Sequence, residues 1–374
     1  MAVSARIENL ASWFAASVLV AAGVIYALKL EDDRPRSNSI RLPPRATPAQ
    51  EPPTLQQRRA TGRGRRAHVP QQIPWRGWKD VLVRTYREIL DDRLLAVAAG
   101  VAFYSLIALF PAIAAGVSSY ALFADVATIS KHLAVAADIV PSGALDILRD
   151  EITRIAAKSD GRLTFGFLVG LGIALWSANA GMKAIFDALN IIYDEEEKRS
   201  LVRLNLVSLF FTICAIVGAG LAVALVVVFP LFLAAFGVTS SDHPIVAYLR
   251  WPVLFMLIIL ALGVLYRYGP SRRRAKWRWI TVGSVFAALT WLVVSALFSW
   301  YLGNFANYNA TYGALGAVVG LMMWMWLSTI VVLVGAELNS EIEHQTARDS
   351  TVGREKPLGT RGAVMADTVG AAVT

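Results

Sequence analysis

The sequence predicts an all-α, polytopic membrane helix bundle, and three observations predict it. The chain has 374 residues, of which 56% are hydrophobic and only 17% charged; soluble domains carry roughly 25% charged residues. Long apolar runs follow one another through its second part. Lys and Arg gather in the segments between alternate runs. In a soluble protein the net charge of +9 would point to nucleic acid. In a membrane protein it reads as topology, because basic loops resist translocation. The expected partner is therefore the lipid bilayer, and no nucleic acid is expected.

A helix needs about 20 mostly apolar residues to cross a bilayer. Six runs qualify: Leu95–Phe123, Leu163–Phe186, Leu204–Phe229, Pro252–Tyr266, Ile280–Leu302 and Gly313–Glu337. The fourth is shortest, but Trp251 and Tyr268 extend it into the interfaces that aromatic rings favour. Hydrocarbon leaves no partner for unpaired backbone groups, so these runs are read as helices. An earlier run, Leu10–Leu28, is also long enough to span. Arg6 is balanced by Glu8, and no small-residue cleavage site precedes Lys29, so it reads as an extra N-terminal transmembrane helix rather than a signal peptide.

Four segments follow. Residues 1–30 form a membrane anchor, and residues 31–72 an Arg/Pro-rich cytoplasmic linker expected to be disordered. Residues 73–343 carry the six-helix core, and residues 344–374 a cytoplasmic tail expected to be disordered. Within the third segment, Trp75, Trp78, Leu82, Tyr86 and Ile89 recur at helical spacing between Arg76, Lys79, Arg84 and Arg87. That stripe suits an amphipathic helix on the membrane surface ahead of the first core span. Leu145, Leu148, Ile152 and Ile155 repeat in the same way and suggest an outer capping helix.

The basic residues fix an expected direction. Arg34 to Arg66, Lys198 to Arg203, and Arg267 to Arg278 fall on one side if the six helices alternate. Gly303–Tyr312 and Val238–Tyr248, on the other side, contain neither Lys nor Arg. By the positive-inside rule both ends of the core lie in the cytoplasm.

One family resemblance rests on three stretches. The last span and its approach carry Tyr312-Gly313-Ala314-Leu315-Gly316-Ala317 and close on Gly335-Ala336-Glu337-Leu338-Asn339. Ala102-Phe103-Tyr104-Ser105-Leu106 with Leu109-Phe110-Pro111, and Trp176-Ser177-Ala178 with Ala188-Leu189-Asn190 and Tyr193, agree with it. Over about Trp75 to Glu343 the chain resembles the YihY/BrkB family of bacterial inner-membrane proteins. That family once carried a ribonuclease BN label, generally regarded as a misassignment. The resemblance implies a multi-pass protein of the bacterial inner membrane. It also implies links to serum resistance or to moving lipid-type molecules. The N-terminal anchor and linker lie outside it.

Candidate residues follow from chemistry that is expensive in lipid. Polar groups and a kinking proline in mid-membrane mark either a substrate pathway or helix glue. They are Tyr104, Ser105, Pro111, Trp176, Ser177 and Asn179, with Asn304, Asn307, Tyr308, Asn309 and Tyr312 forming an uncharged outer mouth. Lys183 and Asp187 share a helix face near the end of the second span and read as a helix-end ion pair, or as a substrate contact. Glu337 ends the last span and is expected to meet a polar or basic group of a neighbouring helix. Arg272, Arg273 and Arg274, beside Trp277 and Trp279, could hold anionic lipid headgroups, although topology alone explains them. Gly166/Gly170 and Gly316/Gly320 are small-residue pairs suited to close helix packing. Cys214 sits alone in an apolar run and reads as a packing residue.

Enzyme activity is not expected. The histidines, His68, His132, His243 and His344, are spread over segments that do not converge on one metal. The acidic run Asp194–Glu197 reads as a solvated turn. No cofactor is implied, and no Gly-x-x-x-x-Gly-Lys-Ser/Thr loop occurs. The expected function is a transporter or flippase-like handler of a lipid or other envelope amphiphile. The alternative is a non-enzymatic envelope scaffold, with a protein partner or a second copy as its ligand.

Overall fold

The computed structural model describes residues 62–121, 163–225, 244–305 and 314–373. The expected anchor, most of the linker, the outer capping helix, His132, His243, Asn307, Tyr308, Asn309 and Tyr312 lie outside the described residues. The regular structure of the described part is helical. Helix α1 is Trp75–Asp91, α2 Leu94–Ala121, α3 Leu163–Ile192 and α4 Leu201–Val223. Helix α5 is Pro244–Tyr268, α6 Trp277–Phe305, α7 Ala314–His344 and α8 the single turn Val364–Asp367. Among the described residues no strand forms; extended pairing is limited to a bridge between Ala275 and Thr351.

Five of these helices are long and apolar enough to cross a membrane: segments Leu94–Ile113, Leu201–Ala222, Trp251–Tyr268, Trp277–Asn304 and Val318–His344. The protein is thus a polytopic helical membrane protein. Helix α3 is 30 residues long and spans the predicted second run. Helix ends follow local chemistry. Ser200 caps α4 by accepting from the Arg203 amide. Arg93 and Asp194, both at φ 51°, turn the chain between α1 and α2 and after α3.

Packing follows an open order. Helix α2 lies against α3 and α7, α3 against α4, α7 against α6, and α6 against α5. Helix α7 is the hub, since it also meets α1, α3 and α8. Indole N–H groups tie the spans together. Trp291 donates to Ser328 Oγ at 3.0 Å, Trp324 to Ser295 Oγ at 3.3 Å, and Trp326 to the Leu95 carbonyl at 3.1 Å. Each satisfies a donor that lipid could not.

Gly170 and Gly320, one from each small-residue pair, do not make the close contacts expected of them. A Cβ on Gly170 would meet nothing, and one on Gly320 only a Leu302 methyl at 4.0 Å. Gly181 packs on Ser105 and Ala108, and Gly283 packs on Gly335. Packing glycines are set by which helix face meets a neighbour, and spacing along one helix does not report that.

Two further expectations are corrected. The tail after residue 344 is folded. Arg361 donates to the carbonyls of Ala347, Arg348, Lys356 and Ala366, and the tail backbone pairs with the α5–α6 loop through Lys276 N to Ser350 O and Val352 N to Arg274 O. Residues 62–72 of the linker are folded too, because Arg63 bonds Asp80 and Arg65 bonds the carbonyls of Gln345 and Gly370. Polar, non-local partners hold these segments, so their lack of apolar periodicity was no guide. Helix α7 also runs past Glu337 to His344, because its last polar turns are buried rather than solvated.

Candidate functional site

The largest fully buried side chains gather at the end of the bundle where Arg84, Arg199 and Arg272 lie. They include Tyr193, Tyr266, Trp279 and Phe186, and with them Glu337, Glu341 and Gln345. An apolar cluster of Leu94, Ala98, Val101, Leu189, Ile192, Ile280 and Leu333 surrounds the polar groups. Charges in so dry a place survive only when paired and hydrogen-bonded.

Most of them are. Arg84 of α1 bonds Glu341 through Nε and also donates to Gln345 Oε1 at 2.8 Å. Arg272 pairs with Glu343 at 2.8 Å, and Glu343 in turn accepts from Ser350 Oγ at 2.6 Å. The Arg272 guanidinium also lies 4.0 Å over the Tyr193 ring. Burial opposes its charge, yet Glu343 and Tyr193 hold it protonated even more firmly than usual. Burial likewise pushes the Tyr193 phenol up.

The acidic run after α3 is a staple. Glu195 bonds Lys198 at 2.7 Å and accepts from the Val364 amide at 2.8 Å, so it clamps the tail. Glu197 receives Arg199 at 2.7 and 2.8 Å and Asn190 at 3.1 Å. Despite its partial burial, these bonds hold the Glu197 carboxyl well below the usual range. Arg199 reaches on to the Gly269 carbonyl at 2.8 Å. Glu195 and Glu197 are therefore structural, while Asp194 and Glu196 are exposed at the turn as the composition suggested.

Arg272 of the Arg272–Arg274 cluster is withdrawn as a headgroup contact, because its side chain is 1% exposed and taken by Glu343. Arg274 is part-exposed and lies 4.9 Å over the Tyr268 ring, and Arg273 is part-exposed with its backbone amide bonded to the Gly362 carbonyl.

The remaining candidates occupy separate settings. Tyr104 is half exposed and meets Phe103 edge-on at 5.7 Å. Ser105 sits where α2 crosses α3 at Gly181, and α2 continues as helix through Pro111. Trp176 and Ser177 are exposed on α3, and the Lys183 ammonium lies 5.2 Å over the Trp176 ring. Lys183 thus turns to an aromatic face, four residues from Asp187. Asn179 is buried and accepts from Thr212 of α4 at 3.2 Å. Asn304 bonds its own helix at the Trp300 carbonyl. Glu337 is fully buried, with Ser340 Oγ at 3.2 Å from Oε1 and no hydrogen-bond partner for Oε2. Residue types alone flagged Glu337 but missed Tyr193, Arg84, Glu341 and Glu343. Glu341 and Glu343, standing close beyond an apolar span, were the available signal.

Among the described residues no group of three or more His, Cys, Asp and Glu side chains is placed to hold a metal ion. A family model described as Virulence factor BrkB matches residues 85–358. Among curated proteins the chain is similar to the ribonuclease-like protein YfkH of Bacillus subtilis, at 32% identity over 261 residues, 65% of this chain and 88% of that protein. It is also similar to a UPF0761 membrane protein of Idiomarina loihiensis, at 30% over 179 residues, 47% of this chain and 61% of the relative. A UPF0761 membrane protein of Paraburkholderia xenovorans matches at 24% over 256 residues, 67% of this chain and 57% of the relative. The chain thus spans 57% and 61% of the length of these two membrane relatives. No solved structure matches it.

Proposed function

The chain belongs to the virulence factor BrkB family, and from that premise we propose that it handles a lipid or other envelope amphiphile in a bacterial inner membrane. One observation carries this reading. Helix α2 is central in the packing order, yet Phe103, Tyr104, Ile107 and Phe110 on it are 54%, 51%, 52% and 51% exposed. Ser105 of α2 crosses α3 at Gly181, and on α3 the Lys183 ammonium lies 5.2 Å over the exposed Trp176 ring. An aromatic and aliphatic surface on α2 suits acyl chains, and Lys183 on α3 supplies a cation for an anionic headgroup.

The direction of the bundle follows from charge. The end holding Arg84, Arg199 and Arg272 faces the cytoplasm under the positive-inside rule. There α1 turns Trp75, Leu82, Tyr86 and Leu90 outward, at 75%, 50%, 64% and 56% exposure, while its polar Asp80, Arg84 and Thr85 face the protein. That arrangement fits a helix resting on the lipid surface.

The nuclease reading carried in the name of YfkH is set aside. Phosphodiester hydrolysis needs free acid, base or metal-binding groups. Among the described residues no three such side chains are placed to hold a metal ion, and the buried Glu195, Glu341 and Glu343 and the part-buried Glu197 are each capped by Lys or Arg. A scaffold role is the second reading, favoured by the folded tail that gives the Arg-rich end a fixed surface.

The test uses the full chain in proteoliposomes carrying fluorescent anionic or zwitterionic lipid in both leaflets, with an external quencher. Wild type should make inner-leaflet lipid accessible faster than protein-free vesicles do. Lys183→Met should slow the anionic probe several-fold while sparing the zwitterionic one. Rates indistinguishable from empty vesicles for every envelope lipid tried would overturn the transport reading.

A further inference from the structure

Three glutamates of α7 are shut away from solvent: Glu337 and Glu341 at 0% exposure and Glu343 at 1%. Two of them have an arginine. Glu341 takes Arg84, and Glu343 takes Arg272. Glu337 has only Ser340 Oγ on Oε1, and its Oε2 is without a hydrogen bond.

The groups facing Glu337 offer no counter-charge. Glu88 and Asp92 approach from α1 and the turn after it, and Glu341 from its own helix. Tyr193, at the end of α3, faces it with a buried phenol whose neighbouring cation, Arg272, is held by Glu343. Arg84, Arg199 and Arg272 at this end are already bound to Glu341, Glu197 and Glu343. An ionised carboxylate so buried and unpaired costs several kcal/mol, of the order of breaking a buried ion pair.

We propose that Glu337 is a proton-binding site of the bundle, and that Asp92 is the carboxylate through which its proton exchanges with the Arg-rich end. In the exchange step an O–H bond on Glu337 breaks as one forms on Asp92, which passes the proton to solvent. A solvent proton then returns through Asp92 to re-form the O–H of Glu337, and nothing is oxidised or reduced. Asp92 suits the task by position, half-buried at the junction of α1 and α2 among Glu88, Asp91 and Asp194. Its carboxyl is pushed up to about 6 by burial and by those three neighbours, close to the pH at which a relay group works best. The proposal does not depend on amphiphile transport, because it concerns the resting protein.

The experiment is infrared spectroscopy of the full chain in lipid nanodiscs at neutral pH, in water and after transfer to heavy water. Wild type should show a protonated-carboxyl band that Glu337→Gln removes. Ser340→Ala should shift that band without abolishing it, so the assignment holds even if Glu337→Gln folds poorly. Asp92→Asn should slow deuterium exchange of the band at least several-fold. Absence of any band sensitive to both Glu337→Gln and Ser340→Ala would show an ionised Glu337 and end the proposal. An unchanged exchange rate in Asp92→Asn would remove Asp92 from it.

Discussion

Gly283 of α6 and Gly335 of α7 meet backbone to backbone, with no room for a methyl group on either. A Cβ on Gly335 would lie 2.6 Å from the Ala287 Cβ and 2.8 Å from the Gly283 carbonyl oxygen. The Asn339 side chain locks the crossing by accepting from the Gly283 amide at 2.8 Å. Gly283→Ala and Gly335→Ala should each destabilise the bundle by about 1–3 kcal/mol, the usual cost of overpacking. Gly170→Ala and Gly320→Ala, which open into space, should be neutral or slightly stabilising. Thermal unfolding of the four variants in one detergent checks this. An equal effect at Gly170 and Gly283 would contradict the crossing.

The Arg84–Glu341 pair ties α1 to α7 where both side chains are under one-tenth exposed. Arg84→Met alone leaves a buried carboxylate without its cation and should cost about 3–5 kcal/mol. Adding Glu341→Gln should recover a large part of the loss. A double-mutant cycle on unfolding midpoints measures it, and simple additivity of the two changes would refute the pairing.

Asp92 makes stability depend on pH. Its folded value of about 6 lies above the ordinary 3.8, with burial as the main cause and Asp194, Glu88 and Asp91 adding to it. The folded protein therefore holds this proton to higher pH than the unfolded chain does. The associated stability is complete below about pH 4 and is lost as the pH rises through about 6. Asp92→Asn should flatten stability across that window and raise it at neutral pH by about 1 kcal/mol, once solvent screening of a part-exposed group is allowed for. Unfolding midpoints at mildly acid and neutral pH report the slope. A steeper slope in the variant would reverse the assignment.

Arg361 organises the tail by donating to four backbone carbonyls. The Asp367 carboxylate answers it by accepting the amides of Arg361 and Gly362 at 2.8 Å. Arg361→Ala should open the tail to trypsin at Arg348 and Arg354 well before the helices are cut. Limited proteolysis with mass readout tests this; cleavage no faster than in wild type would show that other contacts suffice.

The spans were legible in the sequence because lipid imposes a length and a composition on each helix separately. That made α2, α4 and α6 readable from their own residues, and the Tyr312–Ala317 and Gly335–Asn339 stretches readable as a family signature. The Arg-rich end was not legible for the opposite reason. Arg84 and Glu341 are 257 residues apart, and so are their burial and pairing. Arg272 looked free because its partner, Glu343, lay in a stretch read as the end of the core. The tail lacks apolar periodicity because backbone carbonyls and arginines hold it.

Arg63 donates to the Val373 carbonyl at 2.9 Å, and Arg65 reaches the carbonyl of Gly370. The segment leading into α1 is thus fastened by residues that follow α7. During synthesis that fastening has no partner until residues 370–373 have been made. The bundle can insert helix by helix, but its Arg-rich end closes only after them. A chain that stops before residue 370 would leave Arg63 and Arg65 without these carbonyls, a difference that cellular proteases can read.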